Sequence, residues 1–333
     1  IGPNADEQKE LICRYGPSNA PIKTVYKGIK EALPRAKVVY KKGCEIVDPH
    51  FPESEVLPFD ITPKEQQMMD EAIEAAKSAE VVIMVLGGSE VTVREERSRT
   101  SLDLPGRQEE LLKAVCKLGK PTILVMIDGR ASSINYAKKY VPAILHAWFP
   151  GEFCGQAVAE TIFGDNNPGG RLAVTFPKSV GQIPFAFPFK PGSDSGCGTS
   201  VTGALFPFGH GLSYTTFEYS NLRISPEQQG VLGEVKVSCT VKNTGKRIGD
   251  EVVQLYLRDE ISSVTTYVKI LRGFERITLQ PNEEKEVTFT LSPQDLAIWD
   301  KNMKFQVEPG TFKVMIGASS KDIKLEGKFT INK

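Results

Sequence analysis

The sequence predicts an α/β sandwich followed by an all-β sandwich, and three observations support this prediction. Over residues 1–182, short runs that are apolar at every position alternate with amphipathic segments of helical length. Over residues 214–333, apolar and polar residues alternate in short segments, which is typical of strands with one buried face. Residues 183–213, between them, are rich in proline, glycine, serine and phenylalanine. We expect that stretch to be an ordered connector with no helix or strand of its own.

The elements of the first domain follow from apolar spacing. A helix is predicted at 63–79, because Pro63 suits the first helical turn and apolar residues then recur at helical spacing. Residues 81–86 are all apolar, as in a strand covered on both faces. The other predicted elements are helix 107–118, strand 122–127, strand 143–148, helix 155–163 and strand 172–176. This alternation predicts a parallel-rich sheet between two helix layers.

The second domain is predicted to be a sandwich of the immunoglobulin or fibronectin type III kind. Four alternating segments are separated by turn residues, at 235–241, 252–257, 287–291 and 311–316. The Cys…Trp…Cys pattern of immunoglobulin domains is absent, which favours the fibronectin type III form. At the other end of the chain, Ile1-Gly-Pro-Asn resembles the end of a buried strand, so we expect the chain to be cut from something longer.

Composition and charge argue against several classes of protein. Lys+Arg and Asp+Glu are both 41, so the net charge is zero, whereas nucleic-acid binders and polybasic membrane-surface proteins need a cationic excess. No apolar run is long enough for a membrane span. The six cysteines form no C-x-x-C pair and the three histidines are scattered, so we expect no structural metal site and no cofactor. A nucleotide site is disfavoured because neither G-x-G-x-x-G nor a P-loop motif is present.

The loop after the strand at 81–86 is the strongest candidate for chemistry. In a parallel sheet with helices on both faces, ligands bind at the carboxyl ends of the strands, and this loop leaves such an end. It carries three glutamates and three arginines: Glu90, Glu95, Glu96, Arg94, Arg97 and Arg99. Spacing alone leaves two interpretations open. One is a solvated charged loop, and the other is a carboxylic acid that delivers a proton to a leaving oxygen.

Several motifs in a fixed order resemble those of one enzyme family. They are Glu95-x-x-x-Arg99-Thr-x-Leu-x-Leu-Pro-Gly-x-Gln108, the Trp-Phe-Pro-Gly run at 148–151, the Asn-Pro-Gly-Gly-Arg run at 167–171, and Phe-Pro-Phe-Gly-His-Gly at 206–211. Together they resemble the C-terminal half of family 3 glycoside hydrolases of the β-glucosidase and β-xylosidase kind. The Gly-Asp-Glu run at 249–251 and the Glu-Pro-Gly run at 308–310 resemble that family's fibronectin type III-like domain.

The resemblance implies a division of the catalytic residues. The family places an Asp nucleophile on an N-terminal (β/α) barrel, which these 333 residues lack, so no nucleophile is assigned here. It places the acid/base on a loop of the α/β sandwich, four residues before the Arg of the motif, which selects Glu95. Glu96 and then Glu90 are the alternatives if the loop register differs. Arg99 is a candidate substrate-binding residue, and a structural salt bridge within the loop is the alternative for it.

The resemblance therefore implies a C-terminal part of an exo-acting, retaining β-glycosidase. Its partners would be a β-linked oligosaccharide or glycoside and the N-terminal barrel, and the chain alone is expected to be inactive. Secretion or a periplasmic location is expected from the family. Two other classes stay open at this point: a non-catalytic carbohydrate-binding or interaction module, and a nucleotide-dependent α/β enzyme.

Overall fold

The computed structural model describes residues 1–12, 16, 19–193 and 200–333. The described chain forms two compact units, Ile1–Asn166 with Pro177–Val180, and Asn167–Phe176 with Gly181–Lys333. The domain limits predicted above stay predictions, because these units are defined by contacts and not by independent folding. No helix within the described ranges is both long enough and apolar enough to cross a membrane.

The first unit is the α/β unit, and its helices and strands alternate along the chain. Its helices are α1 (Lys9–Ile12), α2 (Val25–Ala32), α3 (Pro63–Lys77), α4 (Gln108–Cys116), α5 (Asn135–Tyr140) and α6 (Cys154–Phe163). Its strands are β1 (Val82–Gly87), β2 (Thr122–Ile127) and β3 (Ala143–His146), and 3-10 turns lie at Glu53–Glu55 and, at the border with the second unit, Val180–Gln182. The predicted α/β architecture is confirmed.

The sheet of this unit is parallel, in the order β1-β2-β3. All but one of the residues in β1 and in β2 are buried, because helices cover the sheet and leave no strand face in water. Ile1 lies along the other edge of β1: its amino group donates to the Ile83 carbonyl (2.9 Å), and the Val85 N–H donates to the Ile1 carbonyl (2.8 Å). The backbone of residue 1 therefore extends the sheet.

Helices α2 and α6 pack closely, and glycine makes this possible. A Cβ atom built on Gly28 would lie 2.0 Å from the Gly155 carbonyl oxygen, so the two helix backbones touch. Helix α3 begins with a full capping box: the Glu65 N–H donates to the Thr62 hydroxyl (3.3 Å), and the Thr62 N–H donates to the Glu65 carboxylate (2.8 Å). Pro63 occupies the first turn of α3, as the sequence predicts.

The predicted strand at 172–176 does not form. Residues 172–176 lie in the second unit, and their backbone bonds go to the 205–210 segment of that same unit: the Leu172 N–H donates to the His210 carbonyl (2.9 Å), and the Phe176 N–H donates to the Phe206 carbonyl (2.9 Å). Phe176 and Phe206 form an isolated bridge, which is the extent of β pairing within 172–176. The apolar pattern did identify a segment with a buried residue, since Phe176 is 1% exposed, but pattern alone does not identify its pairing partner.

The second unit is the β-sandwich unit. Its strands are β4 (Phe217–Ser225), β5 (Gln228–Gly230), β6 (Val235–Asn243), β7 (Gly249–Asp259), β8 (Ile270–Leu279), β9 (Glu284–Leu291), β10 (Ile298–Trp299), β11 (Phe305–Gln306), β12 (Gly310–Gly317) and β13 (Ile323–Asn332), with helix α7 (Pro293–Leu296). One sheet has the order β5-β13-β12-β7-β8, another has β4-β6-β9, and β10 pairs with β11. The predicted all-β sandwich is confirmed.

The core of the sandwich lies between its two larger sheets. Alternate residues of β6, from Val235 to Val241, are fully buried, as period-two patterning requires. They pack against β7 and β12 residues such as Leu255 and Val314. The sequence analysis did not predict β4 or β8, because a register shift between Ser220 and Arg223 breaks the alternation of β4 and Gly273 interrupts the apolar pattern of β8.

Candidate active site

The candidate site lies at the carboxyl edge of the parallel sheet, where β1 and β2 end side by side. Gly87 at the end of β1 pairs with Ile127 at the end of β2. The charged loop follows β1, and Asp128 and Arg130 follow β2. Polar side chains from two separate stretches of sequence therefore meet at one edge, the usual position of ligand sites in such sheets.

The loop leaves β1 through a compact turn. The Ser89 N–H donates to the Thr92 hydroxyl (3.0 Å), and the Val93 N–H donates to the Ser89 carbonyl (2.8 Å). Gly88 is needed beneath this turn, because a Cβ there would lie 2.7 Å from both Asp128 Oδ1 and Val93 Cγ2. The turn thus rests directly on the residue that follows β2.

Asp128 is a buried carboxyl, 2% exposed, at the centre of this edge. Its oxygens accept from the Ser132 hydroxyl and from the Arg130 N–H (3.3 Å). Burial raises the pKa of Asp128, while these hydrogen bonds and the positive charge of Arg99 act in the opposite direction. The sequence analysis did not select Asp128, although it follows a predicted buried strand just as the charged loop does.

Arg130 joins the two stretches. Its Nε donates to the Thr92 carbonyl (3.0 Å), and its Nη2 donates to the Arg97 carbonyl. The His146 ring, at the end of β3, is hydrogen-bonded to the Arg130 backbone. Burial lowers the pKa of His146 to about 4, and this hydrogen bond acts in the opposite direction. The ring centroids of His146 and Trp148 are 4.3 Å apart.

The three candidate glutamates differ in exposure. Glu95 and Glu96 are exposed, and Glu96 has a φ of +62°, which places its backbone in the left-handed region. Glu90 is half-buried, and its carboxylate lies 3.6 Å from Lys9 Nζ. An exposed carboxylate at the carboxyl edge of the sheet can reach a bound molecule. The choice of Glu95 over Glu96 and Glu90 stays a prediction.

Arg99 is held by one partner outside its loop and one within it. It forms an ion pair with Glu55 in which both side chains are less than 10% exposed, and its Nη1 donates to the Asp103 carbonyl (3.1 Å). The Thr100 N–H donates to the same Glu55 carboxylate (3.0 Å). The ion pair is structural, but Glu55 lies outside the loop, so it differs from the salt bridge within the loop that the sequence analysis gave as the alternative. A substrate-binding role for Arg99 stays a prediction.

Gln108, the last residue of the loop motif, has a structural role. Its side chain is fully buried at the start of α4 and accepts from the Gly87 N–H (2.8 Å) while donating to the Gly87 carbonyl (2.8 Å). The loop is therefore closed at its base by the residue that ends it. Glu55, Arg130 and the anchoring role of Gln108 were not found from the sequence, because each depends on a partner at least 21 positions away.

Comparison with known proteins adds family information to this geometry. The model of the glycosyl hydrolase family 3 C-terminal domain matches residues 1–214, and that of the fibronectin type III-like domain matches residues 251–320. A β-xylosidase of Formosa agariphila is 43% identical over 332 residues, covering 96% of this chain and 44% of its own length. A periplasmic β-glucosidase of Salmonella typhimurium is 39% identical, with 99% and 46% covered.

Solved structures agree with these matches. A β-glucosidase of Erythrobacter marinus superposes with a TM-score of 0.90 at 35% identity, over 99% of this chain and 46% of that one. A Listeria innocua β-glucosidase in complex with glucose gives a TM-score of 0.84 at 27% identity. The chain spans less than half the length of the Formosa and Salmonella relatives. It belongs to glycosyl hydrolase family 3, whose C-terminal domain and fibronectin type III-like domain it contains.

Proposed function

We propose that this chain is the C-terminal part of an exo-acting, retaining β-glycosidase, and that Glu95 is its general acid/base. The observation that carries the proposal is the exposed carboxylate loop at the carboxyl edge of the sheet, in a chain of this family. The substrates would be β-linked oligosaccharides or glycosides with a terminal glucose or xylose. The names of the Formosa and Salmonella relatives support both sugars.

The chemistry requires a second carboxylate from outside these residues. A retaining glycosidase uses one carboxylate to attack the anomeric carbon and one carboxyl group to protonate the leaving oxygen, about 5 Å apart. After the aglycone leaves, the second group, now a carboxylate, removes a proton from a water molecule as the oxygen of that water bonds to the anomeric carbon. The bond between the anomeric carbon and the nucleophile breaks, which frees the sugar and restores the nucleophile carboxylate. We assign the nucleophile to a barrel domain N-terminal to this chain, so the 333-residue chain alone would be inactive.

The proposal is tested by comparing the chain with the longer protein that carries it. Purified 1–333 should show no turnover of 4-nitrophenyl β-glucoside or β-xyloside above the buffer blank, while the longer protein should cleave at least one. Retention is checked by NMR of the first-formed anomer. Turnover by the pure 333-residue chain would contradict the division of the carboxyl groups. Oligosaccharide binding without cleavage by the longer protein would identify a non-catalytic module instead.

We further propose that the longer protein is secreted or periplasmic. The support is the periplasmic location in the name of the Salmonella relative. Immunodetection in culture medium, periplasmic extract and cytoplasm of the source cells tests this proposal, and a purely cytoplasmic signal would overturn it.

A further inference from the structure

Both ends of the segment that carries the candidate acid/base accept hydrogen bonds from one side chain. Residues 92–97, here called the Glu95 segment, contain no helix or strand. Arg130 donates through Nε to the Thr92 carbonyl (3.0 Å) and through Nη2 to the Arg97 carbonyl. Because Glu95 lies between these two carbonyls, both ends of its segment are bonded to the same guanidinium.

Arg130 is itself well placed to act as an anchor. Its N–H donates to Asp128, whose buried carboxylate also accepts from Ser132, and its backbone is hydrogen-bonded to the His146 ring. Gly129 brings the loop against this turn, because a Cβ there would lie 2.5 Å from Val93 Cγ1. The anchor thus lies in the turn that follows the buried strand β2 and not in the loop that follows β1.

The geometry of a guanidinium suits this task. Arginine presents several N–H donors in a rigid plane and is always charged, whereas lysine offers one flexible ammonium. The rigid guanidinium therefore holds two carbonyls, five positions apart in the sequence, at a better defined separation than an ammonium does. The positive φ of Glu96 shows that the backbone between the two anchor points adopts a conformation that non-glycine residues rarely choose, as expected where the surroundings impose it.

We propose that Arg130 is a positioning residue for the acid/base: it sets the place of Glu95 through two backbone carbonyls, without contacting the sugar. This inference rests on the proposed function. A displacement of the acid of about 1 Å is enough to cost ~10²-fold in rate, because proton transfer requires hydrogen-bond distance to the leaving oxygen.

Hydrogen exchange on the 333-residue chain tests the anchor directly. In Arg130→Ala, amides within residues 93–97 should exchange about tenfold faster or more, while those of β1 and β2 stay unchanged. In Arg130→Lys, the exchange rates of residues 93–97 should lie between those of wild type and those of Arg130→Ala. Arg97→Ala is the matched control, because it removes a neighbouring positive charge and keeps the Arg97 carbonyl. Unchanged exchange of residues 93–97 in Arg130→Ala would overturn the proposal.

Kinetics of the longer enzyme test the consequence. In Arg130→Ala, kcat/KM should fall about 10²-fold for oligosaccharides and alkyl glycosides and much less for activated aryl glycosides, with partial recovery in Arg130→Lys. An equal loss on both substrate kinds would indicate general damage and overturn the positioning role, and Arg130→Lys provides the test if Arg130→Ala does not fold. If Glu95→Ala itself shows no leaving-group dependence, the acid/base assignment fails, whereas the exchange data judge the anchor separately.

Discussion

The glutamates in the motifs of the two units differ in exposure, although both motifs carried the family resemblance. In the α/β unit, the loop motif leaves Glu95 and Glu96 exposed at the carboxyl edge of the sheet. In the β-sandwich unit, the motif residue Glu251 is 4% exposed and forms an ion pair with Arg171 (3.0 Å). A glutamate that belongs to a family motif is therefore not by that fact a catalytic candidate. Exposure of the carboxylate distinguishes Glu95 from the ion-paired Glu251.

Asn243 is a second buried polar residue of the β-sandwich unit with a structural role. Asn243 is fully buried, and its amide donates to the Arg247 carbonyl (2.7 Å) and the Leu279 carbonyl (2.9 Å). Its oxygen accepts from the Thr215 hydroxyl (2.7 Å) and the Gly245 N–H (3.0 Å). Every hydrogen-bonding position of that side chain is used within the unit, so it stabilises a turn and has no capacity left for a ligand.

The largest expected effect concerns Glu95, and its absence would contradict the catalytic role that distinguishes Glu95 from Glu251. In the longer enzyme, Glu95→Ala should lower kcat/KM for poorly activated glycosides about 10²- to 10⁴-fold, since only these need a proton on the leaving oxygen. Activated aryl glycosides should keep most of their kcat/KM, and added azide should restore their turnover by attacking the glycosyl-enzyme. Steady-state kinetics on both substrate series measure this, with Glu96→Ala and Glu90→Ala as matched controls. A loss confined to either control would move the acid/base to that residue.

The next effect concerns the buried pair of the β-sandwich unit. Glu251→Ala should lower the free energy of unfolding by about 3–5 kcal/mol, because it leaves the Arg171 guanidinium buried without its counterion. Urea unfolding followed by fluorescence measures the change. Lys285→Ala, which removes the exposed ion pair with Glu275, is the control and should cost no more than about 1 kcal/mol. Comparable losses in the two variants would contradict the distinction between buried and exposed charges.

A pH effect of similar or smaller size is expected from His146. Its pKa is about 4 in the folded chain against an ordinary value of 6.5, so the folded state holds fewer protons than the unfolded state between these values. The contribution of the neutral His146 ring to the free energy of unfolding is fully present above pH 6.5. It is lost as pH falls towards 4, by up to about 3 kcal/mol. Urea unfolding at several pH values should give a flatter profile for His146→Gln than for wild type or for His50→Gln, at an exposed ring. Identical slopes would show that other groups cause the acid sensitivity.

The smallest expected effect concerns helix α3. Thr62→Ala removes the hydroxyl that accepts from the Glu65 N–H and should cost about 1 kcal/mol of stability. Thr62→Ser keeps that hydroxyl and should behave like wild type in thermal unfolding. A loss in Thr62→Ser as large as in Thr62→Ala would assign the effect to methyl packing instead of capping.

Local pattern was sufficient for the elements that depend on their own residues. Continuous apolar runs located β1 and β2 within a residue, and alternation located β6, β7, β9 and β12, because burial on two faces or on one is written in the order of side chains. The position of the charged loop followed at once from the end of β1. The prediction of a strand at 172–176 was wrong because the backbone of this segment pairs with residues more than 25 positions away, and local pattern does not contain that information.

The sequence by itself determined the fold class, the family and the stretch that carries the candidate carboxylates. Only the tertiary structure decided that Arg130 reaches Thr92 and Arg97, that Glu55 pairs with Arg99 across 44 positions, and that Arg171 and Glu251 are buried together across 80. The physical reason is that patterning is a property of neighbouring residues, whereas a polar side chain's partners are set by which distant segments the packed core brings within hydrogen-bond distance.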